Sequence, residues 1–411
     1  MKCIFANQTK TDDPDRQPIR NFKQHMDIEE KLNKKLRQRQ AEGNLRHLSV
    51  PPPSTADFCS NDYLGLARNA ELHRRIQAAY AAMPGIGNGA TGSRLITGNS
   101  LFASELEVKL ARVFDAAKTL VFNSGYAANT ALLASVPQRG DTVIHDEYIH
   151  ASLKEGIRLG FARHFSFRHN DLNDLEKKLR KAIGDVFVVA ESVYSMDGDF
   201  APLREMISLC EKHGANLIWD EAHSTGIWGV GGNGIACASG LSERIFARIY
   251  TFGKAPGVHG ACIAGSDTLV EYLVNFARPL IYTTALPLHS LVSIEEAFRF
   301  LRKNPHLQEQ LHGKIQIFRQ AYRSFSGISE HFIDSESPIQ AVKIGGNART
   351  KTVAAHLQAN GFDVRPILSP TVAEGQERLR ICLHTFNPDT ELNELLLRLN
   401  ECFNTLATNQ I

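Results

Sequence analysis

Short apolar runs, closed by glycine or by a polar turn, recur along the middle of the chain. Thr119–Phe122, Thr142–His145, Val186–Ala190, the run LIWD ending at Asp220, the run IFARIYTF before Gly253, and Val258–Ala264 each read as a buried strand. Between them, apolar residues return at helical spacing over Leu101–Phe114, from Arg168 through Leu179, and over Leu203–His213. This alternation across residues 115 to 265 predicts a mostly parallel central sheet covered by helices on both faces, an α/β architecture. Two further helical stretches, Ser293–Arg302 and Leu307–Phe325, lead to a pattern of strand, helix, strand, strand, helix from Ile339 to Ile411. That last region reads as a smaller α+β domain. Upstream, Asp27–Gln40 reads as a charge-laced helix with acids early and bases late, as the helix dipole favours. Residues up to Arg20 are polar and read as a loose tail, with Met26 as an alternative start. Phe58–Leu66 reads as a short strand running into a polar turn. The expected division is a tail, helix and arm over 1–57, a large domain over 58–290, and an interdomain helix with the small domain over 291–411.

Composition narrows the classes. With 411 residues, 43% of them hydrophobic, the chain buries a large core. Its formal net charge of +2 provides no field for nucleic acid or an acidic membrane surface. The 7 cysteines are scattered and lack CxxC spacing, which fits reduced thiols in a cytoplasmic protein and predicts neither a metal site nor a disulfide framework. No apolar run approaches the roughly 20 residues of a membrane span.

The candidate chemistry lies between Leu217 and Gly265. One apolar run delivers Asp220, with His223 three residues later; another delivers a single lysine, Lys254, between Gly253 and Ala255. A carboxylate, an imidazole and a lysine just past strand ends suit a pyridoxal 5'-phosphate (PLP) site, with the lysine as Schiff-base former and the acid holding the pyridinium nitrogen. A lone lysine is usually a solvated cation, and DEAH alone also occurs in nucleotide hydrolases. The glycine-rich stretch from Gly85 to Gly98 lacks the GK[ST] ending of a P-loop and reads as a tight surface or interface loop. Ser124-Gly125 instead follows a strand and opens a small-residue helix, a geometry that aims free N–H groups at a phosphate. Tyr126 is placed to pack on or bond to a planar ring. In the strand Arg378–Leu383, alternation sets Arg378 and Arg380 on one face. They are either solvated arginines on an edge strand or a clamp for a substrate carboxylate.

The motifs SNDYLGLA, GATGSRLITG, SGYAAN, HASL, ESVYSMDGD, DEAHSTG, TFGKAPG, NFARPLIYTTALP and SPTVAEG, in this order and spacing, resemble the α-oxoamine synthases, a branch of the fold-type I PLP enzymes. The resemblance runs from about Asp27 to Ala407. It implies that Lys254 is the Schiff-base lysine and Cα base, that Asp220 pairs with the pyridine nitrogen, and that His223 bonds the ring hydroxyl. His150 would stack on the ring. Gly125 and Tyr126 would bind around the phosphate, with Ser195 and Thr251 in the cofactor shell. Thr283 and Thr284 would reach the phosphate of a neighbouring subunit, so a homodimer with shared sites is implied. Arg46, Asn61, Glu191, Thr371 and Arg380 match substrate-side positions. The implied reaction is a decarboxylative condensation of L-alanine with a pimeloyl thioester, carried on CoA or on an acyl carrier protein. Sister activities, a glycine acetyltransferase or a serine palmitoyltransferase-like synthase, are the alternatives, and a catalytically silent scaffold is the reading outside that class. Pro256, two residues after Lys254, departs from the leucine or glycine usual in the family, and removes an N–H from that turn.

Overall fold

A computed structural model describes residues 27–48, 50, 52, 54–84 and 87–407. The polar tail, the alternative start at Met26, Pro51 and Pro53, and Gly85 and Ile86 at the head of the glycine-rich loop lie outside the described residues. The chain divides into two units, Met1–Val50 and Pro51–Ile411. The first contains the helix Ile28–Ala41, whose N-terminus is capped by the Asp27 carboxylate accepting from the Glu29 backbone N–H. Glu29 and Glu30 occupy its first turn and Arg39 its last, the polarity a helix dipole prefers, and it buries no residue. Arg46 belongs to this unit.

The second unit contains twelve strands among the described residues: β1 (Ala56–Asp57), β2 (Lys118–Phe122), β3 (Thr142–Asp146), β4 (Arg163–Phe167), β5 (Val186–Glu191), β6 (Asn216–Asp220), β7 (Ala247–Thr251), β8 (Ala261–Gly265), β9 (Ile339–Lys343), β10 (Phe362–Asp363), β11 (Arg365–Ile367) and β12 (Arg378–Cys382). Seven of them form one sheet in the order β2-β8-β7-β6-β5-β3-β4. Only β8 runs against its neighbours, pairing antiparallel with both β2 and β7. The C-terminal ends of β2, β3, β5, β6 and β7 therefore share one edge of the sheet, where an α/β fold opens its ligand crevice.

Side-chain alternation divides the hydrophobic residues of the strands between two cores. Leu120 and Phe122 of β2, Ile249 of β7 and Ile263 of β8 enter one core, with Trp219 and the helix Gly125–Ser135. Val121, Tyr250 and Cys262, one residue out of step, face the other, with the helices Leu101–Val113 and Leu288–Lys303. A period of two on a sheet covered on both faces produces this split. At its centre Phe114 stacks on Tyr250 with ring centroids 3.7 Å apart and meets Phe298 edge-on at 5.3 Å.

Two expectations fail here. Phe58–Leu66 is not a strand: pairing is confined to β1, beside β10, and the chain then turns. The Asp57 carboxylate accepts from the N–H groups of Cys59 and Ser60, and that of Asp62 accepts from Ala67 N. Polar side chains thus satisfy the backbone locally where a ladder would otherwise be needed. Conversely, β4 and the helix Ala70–Ala81 form without having been singled out. β4 is an edge strand with four of its five residues exposed, so it carries no buried apolar run to announce it. Near the C-terminus β12 is the middle strand of three, between β11 and β9, so Arg378 and Arg380 are not on an edge.

Candidate active site

Asp220 is the last residue of β6 and stands opposite Glu191, the last residue of β5, in register. Both side chains are buried. Asp220 accepts a hydrogen bond from Asn129 Nδ2 at 2.8 Å on one oxygen and from the Ala222 N–H at 2.8 Å on the other. Asn129 also donates to Ser152 Oγ at 2.9 Å. Glu191 has fewer such donors: it accepts from the His150 N–H, and burial together with the Asp220 charge pushes its carboxyl well above the usual range. The two neighbouring carboxylates thus differ in their surroundings: Asp220 has a donor on each oxygen, and Glu191 is driven toward its neutral form.

Lys254 follows β7 by three residues. Its amine lies 2.8 Å from His223 Nε2, and His223 Nδ1 lies 2.9 Å from the Tyr63 hydroxyl. Burial pushes the His223 imidazole well below its ordinary value, so its ring is neutral and carries one N–H. The amine donates to Nε2, Nδ1–H donates to Tyr63, and Tyr63 donates onward to Asn61 Oδ1 at 2.9 Å. Arg380 closes the chain, its Nη2 donating to Asn61 Oδ1 at 2.9 Å and to the Tyr63 oxygen at 3.2 Å. Burial brings the Lys254 amine down to about 8, with Asp220 opposing that shift.

Asp220, Glu191, Lys254, His223 and Asn61 line one cleft of about 280 Å³ with Ser124, Gly125, Tyr126, His150, Thr251 and His259, while Tyr63 and Arg380 are not among its lining residues and connect to it through His223 and Asn61. Ser124 caps the helix Gly125–Ser135 by accepting from the Ala127 N–H. A Cβ on Gly125 would lie 2.4 Å from Thr251 Cγ2, so only glycine admits the β7 end this close to the helix N-terminus. The residues fit a PLP molecule: a buried carboxylate at one end, N–H groups of a helix start at the other, and a desolvated amine with no ion-pair partner among the described residues.

Not every expected residue lines the cleft. Ser195 is buried one layer behind it, its carbonyl accepting from Arg380 Nε at 2.6 Å. Thr371 lies on an exposed turn after the cis Ser369–Pro370 bond. Thr283 and Thr284 gather at a different place, beside the glycine-rich loop: the Ala285 N–H donates to Gly92 O, and Asn123 Nδ2 donates to Thr284 O at 2.8 Å. Arg378, on the same face as Arg380, is buried in an ion pair with Asp197. Tyr63, Asn129 and Ser152 were not singled out. Each is a neutral polar residue whose importance comes from partners distant in sequence, Asn129 from Asp220 for example.

Glu221, the second residue of DEAH, points away from this cleft. It is buried, bonds the Ser224 hydroxyl, and accepts from the N–H groups of Ile235 at 3.1 Å and Ala236 at 2.8 Å. A nucleotide-hydrolase role would need that carboxylate at the site, whereas here it caps a five-residue helix, Gly234–Ala238.

The fold and this lysine-centred cleft define a fold-type I PLP enzyme. The chain belongs to the aminotransferase class I and II family, whose model matches residues 54–399, and to its 8-amino-7-oxononanoate synthase branch. It is 38% identical over 394 residues to the 8-amino-7-oxononanoate synthase of Emericella nidulans, covering 90% of this chain and 94% of that one. Among solved structures it is similar to the Francisella tularensis 8-amino-7-oxononanoate synthase, with a TM-score of 0.73 and 25% identity over 88% of this chain and all of the other. A serine palmitoyltransferase variant from S. paucimobilis, bound to a PLP–myriocin aldimine, superposes with a TM-score of 0.83 at 25% identity over 93% and 98% of the two chains.

Glu221→Ala leaves the N–H groups of Ile235 and Ala236 without their acceptor, while the Ser224 hydroxyl keeps the backbone carbonyl of residue 221. We expect lost stability of about 1–3 kcal/mol for each donor left unpaired. Urea denaturation measures the loss, and an unchanged cofactor absorption band in the folded variant checks that Glu221 lies outside the site.

Proposed function

We propose that this protein condenses L-alanine with a pimeloyl thioester, on CoA or a carrier protein, releasing CO2 and the free thiol and yielding 8-amino-7-oxononanoate for biotin synthesis. The observation that carries the reading is the continuous polar chain from the Lys254 amine through His223, Tyr63 and Asn61 to Arg380. It sets a base and a carboxylate clamp at opposite ends of one rigid network.

PLP, when bound, supplies an electron sink for the charge that develops at the alanine Cα. Lys254 would hold its aldehyde carbon, Asp220 its ring nitrogen, His150 its ring face, and Gly125, Tyr126 and Thr251 its phosphate end, with Ser195 supporting from behind. Arg380 clamps the alanine carboxylate, with Asn61 orienting the guanidinium. That clamp fixes the Cα–H bond in reach of Lys254, and proton removal by a positioned base contributes about 10²–10⁴ in rate. Burial serves the base directly, since an amine brought to about 8 loses its proton near working pH. Glu191, nearly neutral, fixes the loop carrying His150 through its backbone N–H. Thr371 is a further substrate-side group in this reading.

A homodimer with shared sites is part of the proposal. Leu95, Ile96 and Tyr282 are 51%, 81% and 76% exposed around Thr283 and Thr284, an apolar cluster of the kind a partner copy covers. No helix among the described residues is long and apolar enough to cross a membrane, and the six described cysteines are all free, which supports a cytoplasmic location.

Purified holoenzyme supplied with L-alanine and pimeloyl-CoA is expected to release CO2 and free thiol in equal amounts. Turnover of serine with palmitoyl-CoA or of glycine with acetyl-CoA, and none with alanine, would replace the substrate assignment. The PLP uptake rate of the apoenzyme, followed by visible absorbance, should rise with pH through about 8, where Lys254 becomes neutral. A rise delayed to the ordinary lysine range would show that the amine is not desolvated. Light scattering should give a mass of two chains, and a single-chain mass would remove the shared site.

A further inference from the structure

Behind the cleft lies a second group of charged side chains that the chemistry above does not use. Asp146, the last residue of β3, is fully buried and accepts from the N–H groups of Tyr148 at 2.8 Å and Asn170 at 2.9 Å. His169 Nδ1 lies 3.0 and 3.1 Å from its two oxygens. The other ring nitrogen of His169 lies 2.7 Å from Asp199 Oδ2, to which Asn170 Nδ2 also donates at 2.9 Å. Carboxylates accept but do not donate, so both ring nitrogens must carry hydrogen, and the side chain bridging the two acids is an imidazolium. Asn170 takes a left-handed φ of 54°, a cost the chain accepts to direct its N–H and its amide into the same cluster.

We propose that His169 is a positioning residue that, as an imidazolium clamped between Asp146 and Asp199, locks together the two loops that orient the cleft's binding groups. On one side, Asp146 begins the loop ending in His150, the cap of the helix Ala151–Leu159, whose N–H is fixed by Glu191. On the other, Asp199 closes a hairpin in which Val193 bridges Phe200 and the Tyr194 N–H donates to Asp199 O. That hairpin presents the Ser195 carbonyl to Arg380 and the Asp197 carboxylate to Arg378. Its turn cannot shift independently: Gly198, with φ 78°, lies so close to Ile339 O that a Cβ would overlap it. The clamp therefore runs from the ring-face residue to the carboxylate clamp without touching either ligand.

The charged and aromatic groups packed against the imidazole agree with a held positive charge; the Asn170 amide nitrogen, 3.3 Å from Nε2, has its shorter contact, 2.9 Å, with Asp199. The Tyr148 ring stacks on it at 4.4 Å and Tyr194 meets it edge-on at 4.5 Å. Glu147 accepts from the His169 backbone N–H at 3.0 Å. Asp197, whose carboxylate has an oxygen within 4.8 Å of a His169 ring nitrogen and of an Asp199 carboxylate oxygen, is already paired with Arg378. The adjoining Arg168 is turned to Asp171 at 2.6 Å. Although burial opposes the charge, hydrogen bonds to Asp146 and Asp199 raise the imidazole from 6.5 to about 9. Its folded value is thus above its unfolded one. The stabilisation is complete below the ordinary histidine range and is lost as pH rises through about 9.

The inference rests on the proposed reaction only for its kinetic consequences. The holoenzyme's histidine ring resonances, followed by ¹⁵N-edited NMR and assigned through their absence from His169→Asn, report the clamp directly. We expect both His169 nitrogens to remain protonated beyond pH of about 8. In His169→Asn, the KM for alanine should rise about tenfold while kcat stays within about threefold, the size expected when one charge-assisted support behind a clamp is lost. The cofactor absorption band should be unchanged. Asp199→Asn should lower both the His169 titration and the pH at which the alanine KM begins to climb. Titration of His169 at its ordinary value, or parallel loss of kcat, cofactor band and thermal stability in the variant, would overturn the proposal. If alanine is not turned over, the reaction assignment fails alone, and the ring titration still decides the clamp.

Discussion

The energetics of the site depend on the removal of water from a small group of charges at one edge of a parallel sheet. Asp220 and Glu191 face each other across two hydrogen-bonded strands, and Lys254 arrives from the next strand over. Left to themselves, these charges would cost far more to bury than they return, so each is tuned by its neighbours. Asn129 and a backbone N–H donate to the two oxygens of Asp220, Glu191 moves toward neutrality, and the amine becomes a weaker base. The same desolvation that makes the arrangement costly is what gives the lysine its chemistry.

Second in importance is the separation of tasks between two groups of residues. The cleft lining holds groups suited to cofactor and substrate, while a second group comprises Ser195, Asp197, Arg378, Asp146, His169 and Asp199. Charge-assisted bonds in that second group connect the loop after β3 with the hairpin that Val193 and Phe200 close. A cleft built mostly on loops at strand ends acquires its rigidity this way, because a loop lacks the ladder that fixes a strand.

Much of the chemistry was legible in the residues. Asp220, His223 and Lys254 stand in series just past apolar runs, and a strand followed by Ser-Gly and a small-residue helix marks a phosphate-type corner. The family resemblance then assigned roles to positions that spacing alone left open, such as Asn61 and Glu191. Less legible were groups that matter through a partner. Tyr63 looks like one aromatic residue in a polar turn until the fold sets it between His223 and Arg380, and Asn129 is a mid-helix amide until β6 brings Asp220 to it. The stretch Phe58–Leu66 misled because its apolar ends suggest a strand, whereas the carboxylates of Asp57 and Asp62 take up the local N–H groups.

By itself the sequence determined the periodicities, and hence the α/β class, the two-faced burial of the sheet, and which residues carry acid, imidazole and amine at the strand ends. Those properties are local, set by side-chain spacing and by turn chemistry within a few residues. Tertiary structure alone decided which oxygen each donor meets, that Glu221 turns away while Asp220 turns in, that Ser195 offers its carbonyl to Arg380, and that His169 bridges two acids. These depend on approaches between segments tens to hundreds of residues apart, and hydrogen bonds and desolvation are sensitive to distance on a scale that no spacing along the chain encodes.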